Sequence, residues 1–202
     1  MSLFITFEGG EGCGKSTQAR ALFRNIRGSG VPVILTQEPG GTPLGREVRQ
    51  WLKGEFDSDP VAELLLFNAS RAQLVNNVIR PALKGGKVVL CDRFYHSTIA
   101  YQGYGRGLDL EMIDTVNNIA TSGLKPDLII FLDTDVEQAL SRKRNKDRFE
   151  HEDIAFHKRV KQGYLEMCKA DPKLLMVIDG SLSKSEIEKI IWDKVVGLLP
   201  KR

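Results

Sequence analysis

Nine consecutive residues, Gly9, Gly10, Glu11, Gly12, Cys13, Gly14, Lys15, Ser16 and Thr17, contain the complete pattern Gly-x-x-x-x-Gly-Lys-Ser directly behind an apolar run. Gly9, Gly12 and Gly14 allow a tight turn whose N–H groups face inward, and the start of a following helix adds donors and a positive dipole end. Such a cradle holds the phosphates of a nucleoside triphosphate. Lys15 can reach the β- and γ-phosphates, and the Ser16 hydroxyl can ligate the accompanying Mg²⁺. A glycine-rich turn with no ligand would leave clustered donors and a lysine without partners.

The elements needed to position this cradle are present. Leu3 to Phe7 reads as a short buried strand, and Ser16 to Ile26 carries Ala19, Leu22, Phe23 and Ile26 at helical spacing. Further strands are expected at residues 31–35, 87–91, 128–132 and 174–178. Helices are expected at 44–52, 110–119 and about 185–199, with one long helix over 61–83, bent or ended near Pro81. The loop Gln37-Glu38-Pro39-Gly40-Gly41-Thr42-Pro43 interrupts regular structure. Regular alternation of strand and helix implies right-handed parallel crossovers: an α/β three-layer sandwich on a five-stranded parallel sheet, with ligands at the carboxyl ends of the strands.

The chain has 202 residues, 42% of them hydrophobic, which suits one domain spanning 1–202. Lys+Arg 29 against Asp+Glu 26 gives +3, too balanced a charge to recruit nucleic acid or an anionic membrane. Cys13, Cys91 and Cys168 are odd in number and far apart, which disfavours a disulfide frame or zinc site and suits a reduced, cytoplasmic setting. No signal or membrane-spanning segment is recognised in the sequence.

A second constellation lies at the end of the third expected strand, Cys91-Asp92-Arg93. Asp92 can hold the metal shell and Arg93 can grip an acceptor phosphate in bidentate fashion; a surface ion pair is the alternative. Phe67 and Arg71, four apart on the long helix, could stack on a base and donate to its edge. Helix spacing by itself favours the other reading, with Phe67 in the core and Arg71 solvated.

Taken together, Phe7-Glu8-Gly9-x-Glu11-Gly12-x-Gly14-Lys15-Ser16-Thr17, Glu38-Pro39-Gly40-Gly41-Thr42, Leu66-Phe67-x-Ala69-x-Arg71, Asp92-Arg93, Ala100-Tyr101-Gln102-Gly103 and Asp147-Arg148-Phe149-Glu150 resemble the bacterial thymidylate kinases, a P-loop nucleoside monophosphate kinase family. The blocks lie in order along nearly the whole chain. The resemblance implies transfer of the γ-phosphate of ATP to dTMP with Mg²⁺, in a homodimer. It implies that Glu11 lies near the deoxyribose 3′-hydroxyl and the acceptor phosphate, and that Arg49 and Arg93 hold the monophosphate. Phe67 and Arg71 then meet the thymine, Ser97, Thr98 and Gln102 line the base, and Tyr101 crowds the ribose 2′ position. Glu38 and Pro39 complete the dTMP set.

The resemblance further implies a lid at about 141–153 closing over ATP and an adenine loop at Gly180, Ser181 and Leu182. Gly12 stands where some relatives carry a catalytic arginine, so Arg142, Arg144 or Arg148 should supply that cation beside Lys15 and Arg93. The pattern does not choose among them, and a solvated helix face is the default for such a run. Gln37 replaces an arginine common in bacterial relatives, and the segment from Arg144 to Asp147 is short. Rival readings are a kinase for another monophosphate, a nucleoside kinase with Glu8 as the carboxylate nearest the loop, or a GTP-driven switch. The last lacks its guanine motif: Asn145-Lys146-Asp147-Arg148 puts the aspartate one place early, and no Asp-x-x-Gly occurs.

Overall fold

The computed structural model describes residues 2–54, 58–142 and 147–200. Five parallel strands, β1 (Leu3–Glu8), β2 (Val33–Gln37), β3 (Val88–Asp92), β4 (Leu128–Asp133) and β5 (Leu175–Asp179), form one sheet in the order β2-β3-β1-β4-β5. β1 lies at the centre, with Leu3 beside Val88 and Ile5 beside Leu128. Alternate residues of β1 serve opposite faces, and both faces are covered, so every residue of the strand is buried. Leu3, Ile5 and Phe7 pack with Leu22 and Ile26 of α1 (Lys15–Gly28) and Ile187 and Ile191 of α9 (Lys184–Val196). Phe4 joins Val89, Leu74 and Ile79 on the other face.

The strands begin and end within two residues of the expected bounds. β2 is displaced most, because Pro32 has no N–H for the ladder and pairing begins after it. Every site loop leaves a strand at its carboxyl end. Pairing of β1 with β3 in register Phe7 to Asp92 sets the phosphate loop beside Asp92 and Arg93.

The expected long helix is one rod with a fault. α3 (Pro60–Leu74) passes through a π-helical turn, Val75–Ile79, into α4 (Arg80–Lys84). Pro81 cannot donate and its ring crowds the carbonyl four residues back, and the wider turn just before it relieves that conflict. A second π-helical stretch, Ile99–Gly105, continues α5 (Tyr95–Thr98) and carries Tyr101 and Gln102. The remaining helices are α2 (Pro43–Lys53), α6 (Leu110–Thr121), α7 (Val136–Ser141) and α8 (Ile154–Ala170). Among the described residues no helix is long and apolar enough to cross a membrane, and Cys13, Cys91 and Cys168 are buried free thiols.

Candidate active site

The phosphate loop joins β1 to α1. Gly14 takes φ 99° and accepts from Thr17 and Gln18, so the helix starts at Lys15 with no acidic residue in its first turn. Its N-terminal N–H groups therefore face the cleft uncompensated, the ordinary arrangement for an anion. Lys15 Nζ is buried and donates to the carbonyls of Gly9 (3.0 Å) and Gly10 (2.5 Å), with no carboxylate partner among the described residues. Gly12, at φ 70°, is closed from outside as well: a Cβ there would sit 2.0 Å from the Ala139 carbonyl oxygen of α7.

Ser16 Oγ donates to Asp92 across the floor of this cleft. Two hard oxygens side by side suit a divalent cation that keeps water and takes its other ligands from phosphates, rather than a full protein cage.

Arg93, immediately after β3, holds φ 72° without being glycine. Strain of this kind persists where surrounding contacts impose it. Here its N–H donates to Phe7 O (3.0 Å) and the next N–H, of Phe94, to Glu8 Oε1 (2.8 Å). The turn aims the guanidinium at Gly9 O, Ser97 Oγ, Glu11 Oε1 (2.5 Å) and Tyr101 Oη (3.1 Å). Glu8 itself is sealed, accepting from Phe94, Ser97 and Tyr164, and burial raises its carboxyl above the usual range against the pull of the Ser97 hydrogen bond. It lines neither of the two cavities described next, so it buttresses Arg93 and is not placed to take a proton from a substrate.

All eleven residues expected to hold the acceptor line one cleft. Phe67, Tyr101 and Phe149 form its apolar walls, with Phe67 and Phe149 centroids 6.0 Å apart. Arg71 is buried rather than solvated: it donates to Glu38 Oε2 (2.8 Å), Asn68 Oδ1 (3.0 Å), Asn117 Oδ1 (2.8 Å) and Thr98 Oγ1 (2.8 Å). Arginine has about five N–H donors, so one remains for a ligand. Burial pushes the Glu38 carboxyl up to about 7, with Arg71 pulling the other way.

Raising a carboxyl in the native state means that the folded chain binds more protons than the unfolded one between the ordinary 4.5 and about 7. Stability from this group is therefore present at low pH and is lost as pH rises through that window. Comparing urea midpoints at several pH values should show the wild type losing ground to Glu38→Gln between pH 5 and 8 as estimated from this shift. A difference that stays constant with pH removes the assignment.

A second cavity of about 840 Å³ covers the phosphate loop from Gly12 to Thr17 and is also lined by Asp92 and Arg142. The two cavities share Glu11, Glu38, Arg49, Lys53 and Arg93. Lys53 was not anticipated; its signal is the four-residue spacing from Arg49 on α2. It pairs with Asp147, another lining residue missed by the sequence reading, while Arg49 donates to Pro39 O (3.1 Å).

The lid arginines divide. Arg142 lines the phosphate cavity, whereas Arg144 lies outside the described residues. Arg148, the third candidate, donates to Leu52 O (3.2 Å), Ser58 Oγ (2.7 Å) and Glu63 Oε2 (2.5 Å) beside the base-side cleft and does not line the phosphate cavity. Gly180, Ser181 and Leu182 follow β5 and line neither cavity; Gly180 packs so that a Cβ would meet Thr134 Oγ1 at 1.9 Å.

A sequence model of the thymidylate kinase family matches residues 7–191. The chain belongs to the thymidylate kinase family. It is 52% identical over 203 residues to a thymidylate kinase of Dehalococcoides mccartyi, covering 98% of each chain. It is 49% identical over 197 residues to one from a Nostoc species, covering 94% of this chain and 93% of the other. The crystal structure of thymidylate kinase from Ehrlichia chaffeensis superposes with a TM-score of 0.78 at 36% identity, covering 96% of this chain and 98% of that one. The fold is accordingly the P-loop NTPase fold. Members of the family generally use ATP and a divalent metal.

Proposed function

We propose that the protein transfers the γ-phosphate of ATP to dTMP, giving ADP and dTDP, with Mg²⁺. The observation that carries this reading is the wall shared by the two cavities, where Arg49, Lys53 and Arg93 stand between a triphosphate cradle and an aromatic-walled cleft. A neutral hydroxyl acceptor has no use for three cations, whereas an acceptor that is itself a phosphate must be drawn toward another polyanion.

The acceptor phosphate is already anionic, so no general base is required, and the work is positioning and charge neutralisation. Arg93, held by Glu11, Tyr101 and Ser97, orients the acceptor, with Arg49 and Lys53 on its flank. Lys15 turns from the Gly9 and Gly10 carbonyls to the β- and γ-phosphates. Arg142 neutralises charge from the lid side, and Arg144 belongs to the same segment. Ser16 and Asp92 would hold the Mg²⁺, which supplies electrostatic stabilisation of the phosphate oxygens. Phe67 and Phe149, in contact with each other, offer the base an apolar wall, and Arg71 donates its remaining N–H to a base carbonyl.

We assign residues 1–202 to one domain with a lid at about 141–153, and Gly180 to Leu182 to the adenine. Small, freely diffusing nucleotide substrates and buried free thiols favour a cytoplasmic protein. Exposed Val61 and Leu65, four apart on α3, support a homodimer, which the sedimentation mass of the purified protein checks.

With ATP and Mg²⁺, ADP release should be fastest with dTMP in a panel containing AMP, CMP and GMP. Equal or faster release with any of those three defeats the substrate assignment.

A further inference from the structure

Glu63 is fully buried on α3, one helical step of four before Phe67 and two before Arg71. Its Oε1 accepts from Gln102 Nε2 at 2.6 Å and its Oε2 from Arg148 Nη2 at 2.5 Å, while Arg106 reaches both oxygens at 3.4 Å. Gln102, also buried, lies on the π-helical stretch and lines the base-side cleft.

We propose that Glu63 is a positioning residue for base selection: it holds the Gln102 amide in one of its two orientations, and Arg148 and Arg106 hold Glu63 in place. This rests on the reading of the cleft as a pyrimidine monophosphate site.

A carboxylate flanked by two guanidiniums can only accept hydrogen bonds, so the end of the Gln102 amide facing it is the NH₂ group. The carbonyl oxygen of that amide is thereby directed away from Glu63, on the side of the cleft that Gln102 lines. The wall of the cleft consequently offers one acceptor, Gln102 Oε1, and one donor, the remaining N–H of Arg71. Thymine and uracil present a ring N–H at position 3 beside a carbonyl at position 4, the complementary pair. Cytosine presents a bare nitrogen lone pair at position 3 and an amino group at position 4, so both contacts are reversed.

Because an amide can present either end, Gln102 alone does not discriminate. The choice is made by Glu63, which never touches the base. The Arg148 contact also ties this choice to the lid segment itself, since Arg148 simultaneously holds Leu52 O and Ser58.

The test is steady-state kcat and KM for dTMP, dUMP and dCMP with saturating ATP, for the wild type, Glu63→Gln and Glu63→Asp. A glutamine at 63 can accept or donate, so nothing then fixes the Gln102 amide. The kcat/KM ratio of dTMP to dCMP should fall about tenfold to a hundredfold in Glu63→Gln, the range expected for mismatched buried hydrogen bonds. The change should sit in KM, with dTMP and dUMP declining together while dCMP does not. Glu63→Asp, which remains an acceptor, should keep the wild-type ratio.

A common factor for all three nucleotides, or the same ratio collapse in Glu63→Asp, overturns the proposal. If Glu63→Gln fails to fold, Gln102→Met, which keeps the bulk and removes the amide, decides whether that amide supplies the acceptor in the wall. A fall in its kcat/KM ratio of dTMP to dCMP supports an acceptor there, and an unchanged ratio refutes it. A wild type that prefers another monophosphate in the panel defeats the functional reading; a dTMP-preferring wild type with an unmoved ratio in Glu63→Gln defeats only this inference.

Discussion

Arg93→Ala is expected to lower kcat/KM for dTMP by on the order of a thousandfold, the scale set by arginines that stabilise phosphoryl transfer in related chemistry. The guanidinium stands on the wall common to both cavities and contacts Gly9 O, Glu11, Ser97 and Tyr101, so its removal disorders the acceptor seat and strips charge from the transfer path. Arg93→Lys should recover little, because an ammonium cannot reproduce the planar fork that bridges four partners. ATP affinity, measured by calorimetry without acceptor, should stay within about threefold of wild type, well under the 1.4 kcal/mol that a tenfold change represents. A loss of kcat/KM below tenfold would show that Arg93 is a structural tie and that Arg49 and Lys53 carry the acceptor phosphate.

Arg71→Ala should act twice. It removes the donor to the base, raising the apparent KM for dTMP while leaving ATP binding largely intact. It also strands Glu38, whose carboxylate is buried and has Arg71 as its salt-bridge partner. Deleting one member of a buried pair typically costs about 3–5 kcal/mol, so the urea midpoint should fall sharply as well. Reduced ATP affinity at a temperature where the variant remains folded would place Arg71 outside the base pocket. An unchanged midpoint would mean that Glu38 is relieved by water or by protonation.

The contrast between these two arginines shows what was legible in the chain. Arg93 could be placed from its position after a predicted strand, because strand ends in such sheets deliver side chains to ligands. Phe67 and Arg71 were ambiguous by periodicity, since a helix face looks the same whether it meets core, ligand or water. Only the tertiary partners Glu38, Thr98 and Asn117, drawn from three other segments, distinguish these cases.

The two π-helical turns could not be read, because a single inserted residue barely disturbs an apolar pattern. The bend at Pro81 was visible, though its cause, a widened turn before it, was not. Glu63 was invisible for the opposite reason: glutamate is normally a surface residue, and its burial depends on Gln102, Arg106 and Arg148 arriving from distant parts of the sequence. Arg148 could not be separated from its neighbours by composition: it belongs to a dense basic run, and charge alone does not say which of two anionic destinations a side chain will take.

The tight seating of α7 against Gly12 restricts how this enzyme could be redesigned or could drift. Any residue larger than glycine at that position collides with main chain, which cannot swing aside as a side-chain tip would. Placing a long cationic side chain in the cradle at that point is therefore not a single-substitution route for this scaffold, because the helix would have to be lifted first.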